Sequence, residues 1–458
     1  MITYQDFEQV KDLDVNGALG SFILNAIDDF KGSLEYQKAI DAQNYYEGEN
    51  TTILNRIPYI FTENGKIEDF TVANNQVPTN FLNYIVTQEA STLLSNGLQT
   101  DDNIKDGLGG GKFDILLMRM ALYALVDGVA WSYNYISADG KSQFKTDIWR
   151  GTEFIPFFDE MNGVLRAGIR FYQISPERPI YIELYEEDGL TKFSITKEKS
   201  TGKEVRKVNK VAEKKGYNIK IKKDILGEQI VDEFNWSVLP INPLYASEIK
   251  KSVFTTAFKA KNDLYDIILS DFGNTLEDSR DVYWVLKNYD GQNLGEFIEQ
   301  YKKFKAIKVF GEDGDAKPQT IDIPYEARET ALKMLEAMIY KEAMALDTST
   351  LTGSSLNTTA IKASMDALNK KVDKFEWQVI NLVENVIGLY LEWVNKPNEE
   401  YNINFIRSGL VNDTEIIDNL MKVREEISDE TFYNNLPLIE DTELEIERMN
   451  LQGLRKYK

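Results

Sequence analysis

Ile361, Met365, Leu368, Val372, Phe375, Val379, Leu382, Val386, Leu389 and Trp393 follow one another in alternating steps of four and three. This is an a/d seam, and over Ala360–Asn395 it predicts one helix roughly 50 Å long at 1.5 Å per residue. An apolar seam must be covered, either by the rest of the chain, as a long core helix, or by copies of itself in an assembly. The chain has 458 residues, enough for two or three domains and a sizeable core. Just before the seam, residues 345–359 hold eight Ser or Thr, with Gly353 and Asn357 added and Asp347 as the only charge. An irregular connection of that length between two helices is uncommon unless it has a job or is disordered.

The rest of the chain reads as mixed α+β, mostly helical. Residues 6–46 read as helix, ending near Gly48, and residues 75–98 and 113–126 as two further helices. Residues 131–182 alternate β-branched and aromatic residues and are broken by Asp139-Gly140 and Asn162-Gly163, both strong hairpin signals. Residues 192–223 continue the sheet with twelve basic residues against Glu198, Glu204 and Glu213. They are either a phosphate-contacting patch or the solvated face of a hairpin, and no aromatic platform is interleaved to favour the first. Helices follow at 254–277 and 324–343, the second with Glu329 and Lys333 paired at i,i+4. Between them a small α/β insert reads as strand 281–286, helix 294–304, strand 306–310 and strand 319–323. The acidic C-terminal part carries helices near 413–427 and 441–449, separated by Pro437.

Composition excludes much chemistry. There is no His and no Cys, so there is no disulfide, thiol nucleophile, imidazole base or His-ligated metal. The net charge of −22 argues against a generic nucleic-acid binder, which carries a basic field. No membrane span is expected: residues 114–136 are interrupted by Arg119 and Asp127, and residues 377–394 by Glu384 and Glu392. The acidic start (Asp6, Glu8, Asp12, Asp14) is unlike a signal peptide. The run from Gly107 to Phe113 imitates a phosphate loop, but Asp106 stands where the first Gly belongs and Phe113 where Ser or Thr would bind magnesium. It reads as a flexible lead into the next helix. Glu277, Asp278 and Asp281 could chelate a hard cation, though an acidic helix end is the simpler account. No residue is assigned as catalytic, cofactor-binding or metal-binding, and the chain is read as no enzyme.

Several strings, taken in order, resemble the portal proteins of tailed bacteriophages, in the family typified by the portal of phage SPP1. They are Tyr45-Tyr46-Glu-Gly-Glu-Asn50, the stretch from Asn74-Asn75 to Leu98 around Tyr84-Ile85-Val86, and Asp127-Gly128 to Phe154. Further on come Asp263-Leu-Tyr-Asp266 through Val285-Leu286-Lys287, Lys305-Ala-Ile-Lys308, Ile323-Pro324, Ile427-Ser428-Asp-Glu-Thr431 to Leu436-Pro437, and Glu440-Asp441 to Glu447. The resemblance implies a portal fold: wing 1–253 with a basic hairpin at 191–223, stem helices 254–280 and 324–344, clip 281–323, tunnel loop 345–359, long wing helix 360–396 and crown 397–458. It implies a homo-oligomeric ring of twelve subunits around an axial channel at one capsid vertex of the virion, assembled in the host cytoplasm. Double-stranded DNA passes through that channel during packaging and ejection. The implied protein partners are the terminase motor, the head–tail connector or adaptor, and capsid and scaffolding proteins, with no membrane and no cofactor.

On that resemblance, Thr348, Ser349, Thr350, Thr352, Ser354, Ser355, Asn357 and Thr358 face the channel. Lys287, Glu296, Lys302, Lys303 and Lys305 form the clip's docking surface. Here Gly353 precedes Ser354-Ser355, whereas the family often ends its Gly/Ser-rich stretch in Ser-Gly before the long helix. The physics suits a channel: each neutralised phosphate adds affinity and acts as a brake, whereas hydroxyls and amides exchange contacts easily. Two other readings stand beside it: a self-assembling coiled-coil structural or adaptor protein built on the Ile361–Trp393 seam, and a metal-dependent nuclease using Glu277, Asp278 and Asp281.

Overall fold

A computed structural model describes residues 2–15, 17–62, 65–68, 72–137, 143–200, 203–223, 229–278, 283–287, 315–319, 325–351, 358–407, 413–436, 446 and 448–449. Helices α1 (Tyr4–Glu8), α2 (Ala18–Gly32), α3 (Leu34–Tyr46) and α4 (Thr51–Leu54) precede strands β1 (Tyr59–Thr62) and β2 (Gly65–Glu68). Next come α5 (Phe81–Leu94), β3 (Leu98–Gln99), α6 (Asp102–Leu108) and α7 (Gly111–Asp127). A run of strands follows: β4 (Val129–Ser137), β5 (Gln143–Arg150), β6 (Phe154–Phe158), β7 (Leu165–Tyr172), β8 (Ile180–Glu186), β9 (Gly189–Ser200), β10 (Lys203–Lys215), β11 (Asn218–Lys223), β12 (Gln229–Phe234) and β13 (Ile241–Tyr245). The remainder is α8 (Thr256–Asp278), β14 (Tyr283–Lys287), β15 (Asp315–Gln319), α9 (Tyr325–Glu342), a 3-10 turn at Thr348–Leu351, α10 (Thr358–Trp393), β16 (Asn404–Phe405), α11 (Asp413–Lys422) and α12 (Asp429–Asn434). The architecture is mixed α+β with helix dominant, as the sequence reading holds. The chain divides into two compact units, one of residues 1–42, 84–253 and 343–458, the other of residues 43–83 and 254–342.

In the first unit β6 to β10 form an antiparallel meander and β4 lies between β13 and β5. The Asn162-Gly163 signal makes the β6–β7 hairpin: Gly163 has φ +67° and the Asn162 side chain accepts the Val164 amide. Helix α2 buries Leu19, Ile23, Ala26 and Ile27 along one face. With Phe7 of α1 they cover Phe157, Ile169, Ile182, Phe193 and Val208 of the meander. The Phe7 and Phe157 rings stack with centroids 5.4 Å apart. Arg206 of β10 holds Asp28 of α2 through both carboxylate oxygens and keeps that carboxyl below its ordinary range.

The seam lies on α10, where Met365, Leu368, Val372, Phe375, Val379, Leu382, Val386 and Leu389 are all buried. It packs against β13 and α6, and the Trp236 indole donates to the Leu389 carbonyl at 3.0 Å. The core-helix reading therefore holds and the self-coiling one falls, because the chain already covers this seam. Gly107 is helical rather than part of a flexible loop. A Cβ there would sit 2.1 Å from the Tyr390 hydroxyl, so glycine is what lets α6 approach α10. Gly109 and Gly110 then turn the chain into α7 at φ +107° and +59°.

In the second unit α8 packs on α9, and the Phe81 ring meets Tyr265 and Tyr340 edge-on at 5.0 and 5.9 Å. The Glu329–Lys333 pair forms at 2.6 Å. Three expectations shift. The helix expected over 6–46 is three helices, because Gly17 starts α2 and Ser33 ends it, the Ser33 hydroxyl then accepting the Tyr36 amide at the start of α3. The helix expected from Asn75 starts only at Phe81, as Pro78 and the residue before it take extended backbone. Strand β15 pairs in register with β14, and of the strand expected at 319–323 only Gln319 is described. The helix expected over 413–427 stops at Lys422, and Ser428 caps an additional one, α12. The expected helix 294–304 and strand 306–310, and the Asp139-Gly140 turn, lie outside the described residues; of the expected helix 441–449 only residues 446, 448 and 449 are described. Among the described residues no helix is long and apolar enough to cross a membrane.

Replacing Phe375, 1% exposed, with Ala should lower stability by about 3–5 kcal/mol in denaturant unfolding. The Arg206–Asp28 contact contributes above the unfolded carboxyl value near ~4 and is lost as pH falls through the lowered folded value. Arg206→Gln should therefore flatten the acid limb of the stability–pH curve, measured by thermal melts from pH 2 to 6.

Candidate functional site

The described start of the hydroxyl-rich segment lies in the first unit and is tied to α5. The Leu346 amide donates to Gln88 Oε1 at 2.7 Å, and Gln88 Nε2 donates back to the Leu346 carbonyl at 3.1 Å. The Tyr84 hydroxyl donates to the Leu346 carbonyl and to Thr348 Oγ1, both at 3.4 Å. Asp347 Oδ1 accepts the Ser349 amide at 2.9 Å and the Ser349 hydroxyl at 2.6 Å, which caps the 3-10 turn. The lone charge of the segment is thus a cap.

Thr348 and Ser349 are exposed in this turn and Thr350 shares its backbone. Thr358 opens α10, two residues earlier than the seam predicts. Thr352, Ser354, Ser355 and Asn357 lie outside the described residues. Sequence reasoning missed Tyr84 and Gln88. The one local signal is a polar pair at i,i+4 on a helix with several other polar residues, and nothing in it points to a partner 258 residues on.

One residue further along α5, Glu89 is 2% exposed and lies 2.6 Å from Lys371 Nζ of α10. Burial pushes the Glu89 carboxyl up and Lys371 pulls it part of the way back. Of the residues assigned to the clip, Lys287 ends β14 opposite Asp315; Glu296, Lys302, Lys303 and Lys305 lie outside the described residues.

In the basic stretch 192–223 four cations engage carboxylates: Lys192 with Glu183 at 3.0 Å, Lys214 with Glu186 and Asp188 at 2.9 and 2.7 Å, Arg206 with Asp28, and Lys210 with Glu213. That is the hairpin-face reading. Glu277 accepts the Asn75 side-chain amide at 3.0 Å. Among the described residues no group of three or more acidic side chains is placed to hold a metal.

In the second unit three of the strings that carry the family resemblance meet. Residues 75–79 run extended beside α8, and alternate amides point at the helix. The Asn75 amide donates to Asn274 Oδ1 at 2.6 Å, Val77 to Ser270 Oγ at 3.1 Å, and Thr79 to Asp266 Oδ1 at 3.1 Å. Two extended residues advance about 6.6 Å and four helical residues about 6.0 Å, so acceptors four apart on a helix match amides two apart on a strand.

Asp266 is fully buried and collects two further side-chain amides, from Asn50 at 2.6 Å and Asn262 at 2.8 Å, plus the Thr79 hydroxyl at 2.5 Å. Burial lifts its carboxyl above the ordinary range, and the hydrogen bonds from Thr79 and Asn50 draw it partly back. Asn50 also caps α4 and accepts the Tyr45 hydroxyl at 2.7 Å, while Tyr45 reaches Asp263 as well.

A model of the family described as "Phage portal protein, SPP1 Gp6-like" matches residues 31–455. Two relatives are named portal proteins. One, from Clostridium phage phiCD119, is 23% identical over 446 residues, covering 91% of this chain and 92% of its own. The other, from Bacillus phage SPP1, is 25% identical over 442 residues, covering 90% and 85%. Among solved structures, a chain from the virion of a native gene transfer agent particle superposes at TM-score 0.40 and 10% identity, over 81% of this chain and 87% of that one. This chain belongs to the SPP1 Gp6-like family of phage portal proteins. The family is structural rather than enzymatic, and its members are virion components.

Asn50→Ala should cost about 3 kcal/mol in urea unfolding, because it strips the α4 cap and one donor from buried Asp266. Asn50→Asp should cost more, since it keeps the cap but sets a second carboxylate against Asp266.

Proposed function

We propose that this protein closes in twelve copies into a ring at one capsid vertex, with an axial channel through which double-stranded DNA is packaged and later ejected. The observation that carries the reading is the family match across residues 31–455. In that reading residues 1–253 and 360–396 form the wing, 254–280 and 324–344 the stem, 281–323 the clip, 345–359 the tunnel loop and 397–458 the crown.

Thr348, Ser349, Thr350, Thr352, Ser354, Ser355, Asn357 and Thr358 then face the DNA with hydroxyls and amides instead of cations. This lets the duplex slide, because no fixed phosphate neutralisation has to be broken at each step. The exposure of Thr348 and Ser349 is consistent with that use. The net charge of −22 per copy repels the duplex from the wall and keeps it centred. Lys287, Glu296, Lys302, Lys303 and Lys305 of the clip dock the terminase motor and then the head–tail connector. Capsid and scaffolding proteins are the remaining partners, assembly takes place in the host cytoplasm, and ATP hydrolysis belongs to the motor.

Deleting Thr348–Thr358 should leave rings intact and abolish DNA packaging; loss of the rings themselves would refute the assignment of this segment. Native mass measurement should give a particle of about twelve times the 52.5 kDa subunit, and a monomer would refute the ring.

A further inference from the structure

We infer that Gln88 is the positioning residue of the channel segment, a clamp on Leu346 that sets where the segment starts. Its functional consequence rests on the channel reading above. The primary amide of Gln88 reads the backbone of Leu346 from both sides, donating to its carbonyl and accepting its N–H, as a neighbouring strand would. Few side chains other than Gln and Asn can make both contacts, and the reach required here is that of the longer one.

Four neighbours hold the clamp in place. Gln88 Nε2 also reaches the Tyr84 hydroxyl at 3.4 Å. Buried Glu89, the next residue, pins α5 to α10 through half-buried Lys371. The Leu346 side chain is itself only 5% exposed, so the segment is anchored by burial as well as by the amide. Asp347 caps the turn that follows. On the other side of the clamp, Met344 holds φ +53°, a left-handed conformation that a side chain disfavours and that persists only where the surroundings impose it. Gln88 and Leu346 supply that imposition. Without them Met344 relaxes, and the loop gains length from its near end.

The test is amide hydrogen exchange on the assembled full-length protein, with DNA packaging as a second readout. Gln88→Leu keeps the size but no polar atom, and should raise exchange at Leu346 about tenfold or more while leaving the amides of α5 unchanged. Gln88→Glu keeps the acceptor for the Leu346 amide but turns a second acceptor toward the Leu346 carbonyl, and should raise exchange at Leu346 by less than Gln88→Leu does. Unchanged exchange at Leu346 in Gln88→Leu overturns the clamp.

For function, Gln88→Leu should assemble normally and package less DNA. Normal packaging by Gln88→Leu, with packaging still abolished by the Thr348–Thr358 deletion, overturns the clamp's role while sparing the channel. Normal packaging by both overturns the channel reading, and the exchange result still decides whether the clamp exists.

Discussion

The first unit depends on the burial of one face of a 36-residue helix. From Met365 to Leu389 the a and d positions of α10 are out of water, and each such side chain contributes roughly 1.5–3 kcal/mol by leaving it. The rest of the unit is arranged to make that possible. Gly107 gives up a side chain so that α6 can reach Tyr390, and Trp236 finds a hydrogen-bond partner in the Leu389 carbonyl at the far end. Because the seam is filled from within, copies of the chain must meet through other surfaces. The burial also reaches the hydroxyl-rich segment: Lys371, next to Val372 of the seam, pairs with Glu89, and the same turn of α5 carries the amide that grips Leu346.

The second unit solves a different problem, that of burying polar groups. Asp266, Asn262, Ser270 and Asn50 are essentially inaccessible, and each has partners. The match between the rise of an extended strand and that of a helix lets one stripe of α8 satisfy alternate amides of residues 75–79. A network so connected is costly to break at any member, since the groups left behind stay buried and unpaired. It also joins three strings that mean little alone and carry a family likeness together: Asn50 from Tyr45–Asn50 and Thr79 from the Asn74–Leu98 stretch both bond Asp266 of Asp263–Asp266.

What could be read from the residues followed their periodicity. The four-three spacing of the seam, the alternation of β4 to β8, the Asn162-Gly163 turn and the Glu329–Lys333 pair all appear where local pattern places them. Errors fell where local pattern is silent or misleading. Residues 75–80 carry polar side chains compatible with a helix start, yet tertiary acceptors on α8 and Pro78 hold them extended. The glycines at 107–111 look like one flexible run, but close packing requires one and turn geometry two others. In the candidate site Thr348 and Ser349 were evident from composition, while Tyr84 and Gln88 were not.

The sequence by itself determined the elements, their apolar faces, the absence of imidazole and thiol chemistry, and the hydroxyl-rich character of the segment before the long helix. These depend on interactions within a few residues, or on residue identity alone, and so are written in spacing and composition. Only the tertiary structure decided that the seam is covered internally, that Lys192, Arg206 and Lys214 of the basic stretch answer carboxylates of their own chain, and that Gln88 holds Leu346. Each of those pairings joins residues far apart along the chain. A side chain's own neighbourhood in sequence specifies what it can bond to, but not which distant group the fold will bring within 3 Å of it.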